Sequence, residues 1–189
     1  MGLLDKVFGR TPPVRPQLDQ FFAVPDAALT LESSLGLRPT GMGSVSFRAV
    51  EGSASSTVTN DVQALLGADG GPAVEKSVDS FGFTWLLVRH DVDDLPGLVT
   101  DLHAINGTLQ DNGFGSTLLC SLVSFAAEDG GKVALVYLYK RGTFYPFAPL
   151  GDQKRDNPLE LQVRSALSND LVIESDLTRW FGVWGAPGL

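Results

Sequence analysis

Residues 94–139 read DLPGLVTDLHAINGTLQDNGFGSTLLCSLVSFAAEDGGKVALVYLY, and this stretch decides the fold. In its first half Leu95, Leu98, Val99, Leu102, Ile105 and Leu109 fall at i, i+3, i+4, i+7, i+10 and i+14, the apolar stripe of an amphipathic helix. Asp93 or Asp94 stands where such a helix takes its N-cap, Pro96 suits its first turn, and Gly113 suits its exit. In the second half two β-rich runs, 118–125 and 133–139, flank Glu128-Asp129-Gly130-Gly131, a strong hairpin signal. A helix leading into an antiparallel hairpin is the unit.

The unit recurs upstream. Val58, Val62, Leu65 and Leu66 have helical spacing and stop at Gly67 and Gly70-Gly71-Pro72. Strand-like runs at 74–79 and 83–88 then surround a turn near Ser80 to Gly82. Earlier still, residues 18–35 read as a helix broken or restarted at Pro25-Asp26 and stopped by Gly36. Gly41-Met42-Gly43 reads as a turn introducing a strand over 45–50, where Val45, Phe47 and Ala49 alternate with polar positions. A last helix begins at Asn157-Pro158-Leu159-Glu160, with Asn157 as cap. The order α-β-α-ββ-α-ββ-α predicts an α+β fold: about five largely antiparallel strands, with helices packed mainly on one face.

The chain has 189 residues, 43% hydrophobic and 19% charged, which fits one α+β domain over 17–189. Residues 1–16 read as an appendage. Leu3, Leu4, Val7 and Phe8 form one face of a short amphipathic helix, and Thr11-Pro12-Pro13-Val14-Arg15-Pro16 follows as a stiff spacer. At the other end 180–189 is uncharged and carries Trp180, Phe181 and Trp184, a tail expected to pack along the body or across a dimer. The net charge of −8 argues against nucleic acid as a partner. Residues 17–131 hold fifteen acids against four cations, whereas 132–164 hold six cations against three acids. One cysteine, Cys120, excludes an internal disulfide and fits a reducing cytosol. No apolar run approaches the roughly 20 residues of a membrane span, and no signal peptide is read at the start.

All three tyrosines and five of seventeen aromatics lie within 137–147, beside that late cluster of cations. Tyr137 and Tyr139 belong to a strand. Lys140 and Arg141 gather charge at its exit, and Pro146 argues against a regular strand beyond it. Phe144, Tyr145 and Phe147 are therefore either pinned on the core or offered to a partner. Lys140, Arg141, Phe144, Tyr145 and Phe147, with Leu3, Leu4, Val7 and Phe8, are the candidate partner or membrane contacts. Lys6, Arg10 and Arg15 beside the short helix favour an acidic partner or an anionic lipid face.

Chemistry has fewer candidates. His90, Asp91 and His103 are the residues that could build a metal or acid–base site for a small ligand or a reaction. Against this, Asp93 and Asp94 have work as helix caps. Cys120 sits in an apolar run and reads as a small core residue. The glycine pairs fit neither phosphate-loop nor dinucleotide patterns. No catalytic residue, metal ligand or cofactor is assigned, and the chain reads as a non-enzyme. A secretion-chaperone-like dimer holding a client segment is a third reading of the same α+β pattern and acidic charge.

Met1-Gly2-Leu3-Leu4-Asp5, Phe8-Gly9-Arg10, 47–52 (FRAVEG), 88–91 (VRHD), 94–99 (DLPGLV), 138–149 (LYKRGTFYPFAP) and 183–189 (VWGAPGL) together resemble the actinobacterial PspA-associated protein family PspAB. The likeness runs through nearly the whole chain. It implies an accessory or regulator of an envelope-stress response run by a PspA-like protein, working at the cytoplasmic face of the membrane. It brings a suspected PspA-like partner and no active site; peripheral membrane contact through residues 1–10, read from the short helix and its cations, and a homodimer are left open.

Overall fold

The computed structural model describes residues 17–49, 53–68 and 70–189; the expected N-terminal helix and spacer, residues 1–16, lie outside them. Six strands make the main sheet: β1 (Arg38–Phe47), β2 (Glu75–Val78), β3 (Thr84–Arg89), β4 (Leu118–Ala126), β5 (Lys132–Leu138) and β6 (Thr143–Phe147). Their order is β2-β3-β1-β4-β5-β6, every pairing antiparallel. A two-residue ladder, β7 (Pro149–Leu150) with β8 (Lys154–Arg155), stands apart. The helices are α1 (Val24–Leu35), α2 (Ser53–Gly67), α3 (Leu95–Leu109) and α4 (Asn157–Ala166). The α+β class, the antiparallel sheet and the helix–hairpin succession expected from sequence are all present.

The extra strand is β6, which corrects the reading of Pro146 as a breaker. Pro146 sits opposite Leu135 in regular register, with Tyr145 opposite Val136. The reason is its place at the edge. Phe144 turns its N–H and C=O outward, to Val172 O (2.8 Å) and Glu174 N (2.7 Å). Backbone polarity alternates along a strand, so the N–H that Pro146 lacks also points outward, where β5 does not need it. The segment around Ile173 covers this edge by a short parallel bridge to Phe144.

A second correction concerns Gly41 and Gly43, which lie inside β1. Register against β4 shifts between Pro39 and Gly43, a bulge, and Gly41 has φ +74° there. At Gly43 α3 packs tightly on the strand: a Cβ would stand 2.7 Å from Leu102 Cδ1.

Both faces of the sheet are covered, by different means. On one, the apolar stripe of α3 joins Phe21, Val24 and Leu31, and Val58 and Val62 of α2, over Val45, Phe47, Leu86, Val88, Val123, Phe125, Leu135 and Tyr137. On the other, Trp85, Cys120, Leu122, Val136, Tyr145 and Phe147 pack under Trp180, Val183 and Ala186. The aromatic tail thus lies along the body. Tyr145 donates its hydroxyl to Phe181 O (2.9 Å), Trp180 donates its indole N–H to Glu174 O (3.0 Å), and Ser124 donates to Gly188 O.

The helix ends follow capping chemistry. Asp94 caps α3 by accepting the Gly97 N–H at 3.0 Å, as its position implies. In α4 the cap is Asp156, accepting from Leu159, one residue earlier than the sequence reading placed it. Glu160 does other work: buried, it accepts the Ala148 N–H (2.9 Å) and Arg155 Nε (2.8 Å).

Candidate functional site

The aromatic and basic stretch divides at the turn Lys140-Arg141-Gly142, where the Arg141 and Gly142 N–H groups both return to Leu138 O. Beyond it Phe144, Tyr145 and Phe147 are 1%, 0% and 0% exposed, so in the folded chain they offer no contact surface. Phe144 packs on Phe21 and Tyr137, with ring centroids at 5.9 and 5.0 Å. Tyr145 lies against Trp180 and Phe181, and Phe147 meets Trp184 edge-on at 4.8 Å. Burial pushes the Tyr145 phenol far above its ordinary range. What the stretch shows to solvent is Lys140, part of Arg141 and part of Thr143.

Arg141 is held rather than free. Its Nε lies 3.0 Å from the buried Glu174 carboxylate, which also accepts the Thr143 hydroxyl and the Asp176 N–H, each at 3.0 Å. Burial alone would raise the Glu174 carboxyl, but the Asp176 N–H, Arg141 and Thr143 outweigh it and hold it below the usual range. Gln17, where the described chain begins, lies against the same turn: a Cβ on Gly142 would meet Gln17 Cβ at 3.6 Å. The root of residues 1–16 and the exposed cation Lys140 therefore share one corner. Leu3, Leu4, Val7 and Phe8 themselves fall outside the described residues.

The histidines are used separately. His90, at the end of β3, holds Asp94 Oδ2 with Nδ1 and Asp101 Oδ2 with Nε2, both at 2.8 Å. His103 instead lies 3.3 Å from Asp19 and stacks near Phe22. Asp91 is exposed, and its carbonyl accepts the Asp94 N–H. Both ring nitrogens of His90 face carboxylates, which only accept, so the protonated ring donates on both sides and neither nitrogen is turned toward an open ligand site. His90 works as a clamp between the end of β3 and the first two turns of α3. Asp101, seven residues after Asp94 and so on the same helix face, was missed in sequence although that spacing could have found it. Among the described residues no group of three or more His, Cys, Asp or Glu is arranged to hold a metal ion.

The clamp predicts a pH dependence. Burial lowers the His90 pKa, the two carboxylates raise it, and the net shift is upward. A raised folded pKa contributes stability that is complete below the unfolded value of about 6.5 and is lost as pH rises through the folded value. Thermal unfolding at pH 6 and pH 9 will show the extra stability at pH 6, and His90→Ala will shrink the difference between the two. An equal difference in both proteins would remove the clamp from the account.

Cys120 is fully buried, and burial pushes its thiol up to about 12, which suits packing and not nucleophilic attack. No helix among the described residues is long and apolar enough to cross a membrane. The chain matches no curated protein and no solved structure. A family model described as PspA associated protein B, PspAB, matches residues 1–188. That match spans every element described above, and the chain belongs to the PspAB family.

Proposed function

We propose that this protein is an accessory interaction protein of a PspA-linked envelope-stress response, acting through contact and not through a reaction of its own. The family description supports an accessory role tied to PspA. One observation supports the place of contact: Gln17 packs on Gly142, so residues 1–16 leave the body beside Lys140. Leu3, Leu4, Val7 and Phe8 supply apolar area there, on the order of 1.5–3 kcal/mol per side chain if buried. Lys6, Arg10, Arg15 and Lys140 supply positive charge on a protein that is otherwise acidic. That combination suits an amphipathic helix docking on a PspA-like protein or on the anionic inner face of the membrane, from the cytoplasmic side.

The test is co-sedimentation of the full chain with a PspA-type protein and, separately, with anionic liposomes. Deleting residues 1–10 is expected to lower binding at least tenfold, since several apolar side chains leave together. Lys140→Gln is expected to weaken it by roughly fivefold, because one cation near an anionic surface contributes about 1 kcal/mol. Lys140 is the suitable probe because it is exposed, whereas replacing Arg141 would strand the buried Glu174. Binding unchanged by either alteration would remove this corner from the function.

A further inference from the structure

A shallow groove of about 840 Å³ runs between α4 and the segment that covers the edge of β6, lined by Leu161, Arg164, Ser165, Asp170, Val172 and Ile173 among others. Its apolar floor is unusually open, with Leu161 49% and Val172 55% exposed. Leu161 continues into a neighbouring pocket of about 290 Å³ that also touches Leu177, itself half exposed. Three large aliphatic side chains in one continuous depression make a seat for an apolar helix face.

The position of the chain start indicates which helix. Val172 O bonds Phe144 N, and Ile173 bridges to Phe144, two residues along β6 from the Gly142 turn where Gln17 lies. Residues 11–16, at about 3.1 Å per residue when extended by their prolines, span roughly 19 Å, several times the width of one strand. A peptide rooted at that turn reaches the groove without crossing the body. Charge does not oppose this seat: its lining holds one cation, Arg164, and one acid, Asp170, while residues 1–16 carry three cations and one acid and residues 17–189 sum to −10. A helix of eight residues is marginal alone in water, so it needs such a surface to form.

We propose that the groove between α4 and residues 168–175 is the resting seat of the chain's own N-terminal segment, which places Leu3, Leu4, Val7 and Phe8 against Leu161 and Val172 until a partner or membrane competes for them. The seat is intramolecular and exists without any partner, so it can fail while the proposed function stands, and the reverse.

Limited trypsin digestion of the full chain, alone and at low concentration, reads the seat directly, because Lys6 and Arg10 both precede cleavable bonds. Seating predicts slow cleavage there, with Leu161→Asp and Val172→Asp accelerating it at least tenfold. Both positions are half exposed, so these variants are expected to stay folded and to melt within a few degrees of the parent, losing only what the seat itself contributes. Hydrogen exchange of amides 3–8 in the unaltered protein is a second reading, expected at least tenfold slower than in the free peptide. Cleavage equally fast in parent and variants, or amides exchanging at the free-peptide rate, would overturn the proposal. Protection that disappears on dilution would overturn it too, by assigning the seat to the segment of a second copy.

Discussion

Deleting residues 180–189 is expected to abolish the cooperative thermal transition. The deletion strips Trp180, Val183 and Ala186 from the second face of the sheet and leaves Trp85, Leu122, Val136, Tyr145 and Phe147 facing water. Losing one buried Trp costs about 3–5 kcal/mol. The remaining apolar contacts add about 1.5–3 kcal/mol for each large side chain. The Tyr145 hydroxyl also loses the Phe181 carbonyl, and the Arg155 guanidinium loses the Trp180 carbonyl. The total approaches the whole stability of an ordinary domain, about 5–15 kcal/mol. Cys120 is an internal reporter for this change. It is inert under the tail, so a thiol reagent should react with the parent only on unfolding and with the truncated chain at once. A truncated protein that melts within a few degrees of the parent, with Cys120 still silent, would show that the tail is dispensable.

The second large effect belongs to Gly41→Ala, expected to destabilise by about 3 kcal/mol or more. Two costs coincide at this position. Its φ of +74° disfavours any residue with a Cβ, by roughly 1–2 kcal/mol. The added methyl would also overlap the His90 carbonyl, a backbone atom that cannot swing aside. That carbonyl belongs to the residue whose N–H bonds Gly41 O at 2.8 Å and whose ring clamps α3, so relief of the overlap disturbs the clamp. Gly130→Ala is the matched control: φ is +90° there, but nothing lies within 4 Å of the new methyl. Chemical denaturation should show Gly130→Ala costing only about 1–2 kcal/mol, the strain alone. Equal losses at the two positions would mean that the overlap at β1 relaxes freely.

Local signals made much of this fold legible. The stripe of α3, the Asp94 cap and the turn at Gly130 each depend on residues close in sequence, and each appears where the pattern put it. The apolar residues on both faces of β5 also carried a trace of double coverage, since Ala134, Val136 and Leu138 needed a second layer as Val133, Leu135 and Tyr137 needed the helices. What closed that second layer was not legible, because nothing local ties 180–189 to a sheet. β6 was hidden for a similar reason. Pro146 removes a donor wherever it stands, and only the distant pairing of Phe144 with residues 172–174 shows that the lost donor faced outward. At the exit of β5 the sequence singled out the stretch as one candidate contact surface and could not separate exposed Lys140 from buried Phe144, Tyr145 and Phe147. The partners that decide it, Phe21, Trp180 and Trp184, lie from about thirty to more than a hundred residues away.

The placement of the tail also sets an order of events during synthesis. Strand β1 leaves the ribosome early, but its partners β3 and β4 follow only after tens of residues, so the centre of the sheet waits unpaired for them. When Phe147 has emerged, all six strands exist and α1, α2 and α3 can cover one face, while the other waits for residues 180–189. For that interval a nascent chain presents a broad aromatic surface to every hydrophobic neighbour, including the membrane and the general chaperones. A core completed by residues 180–189 is therefore most vulnerable if translation stalls after Phe147 and before they emerge.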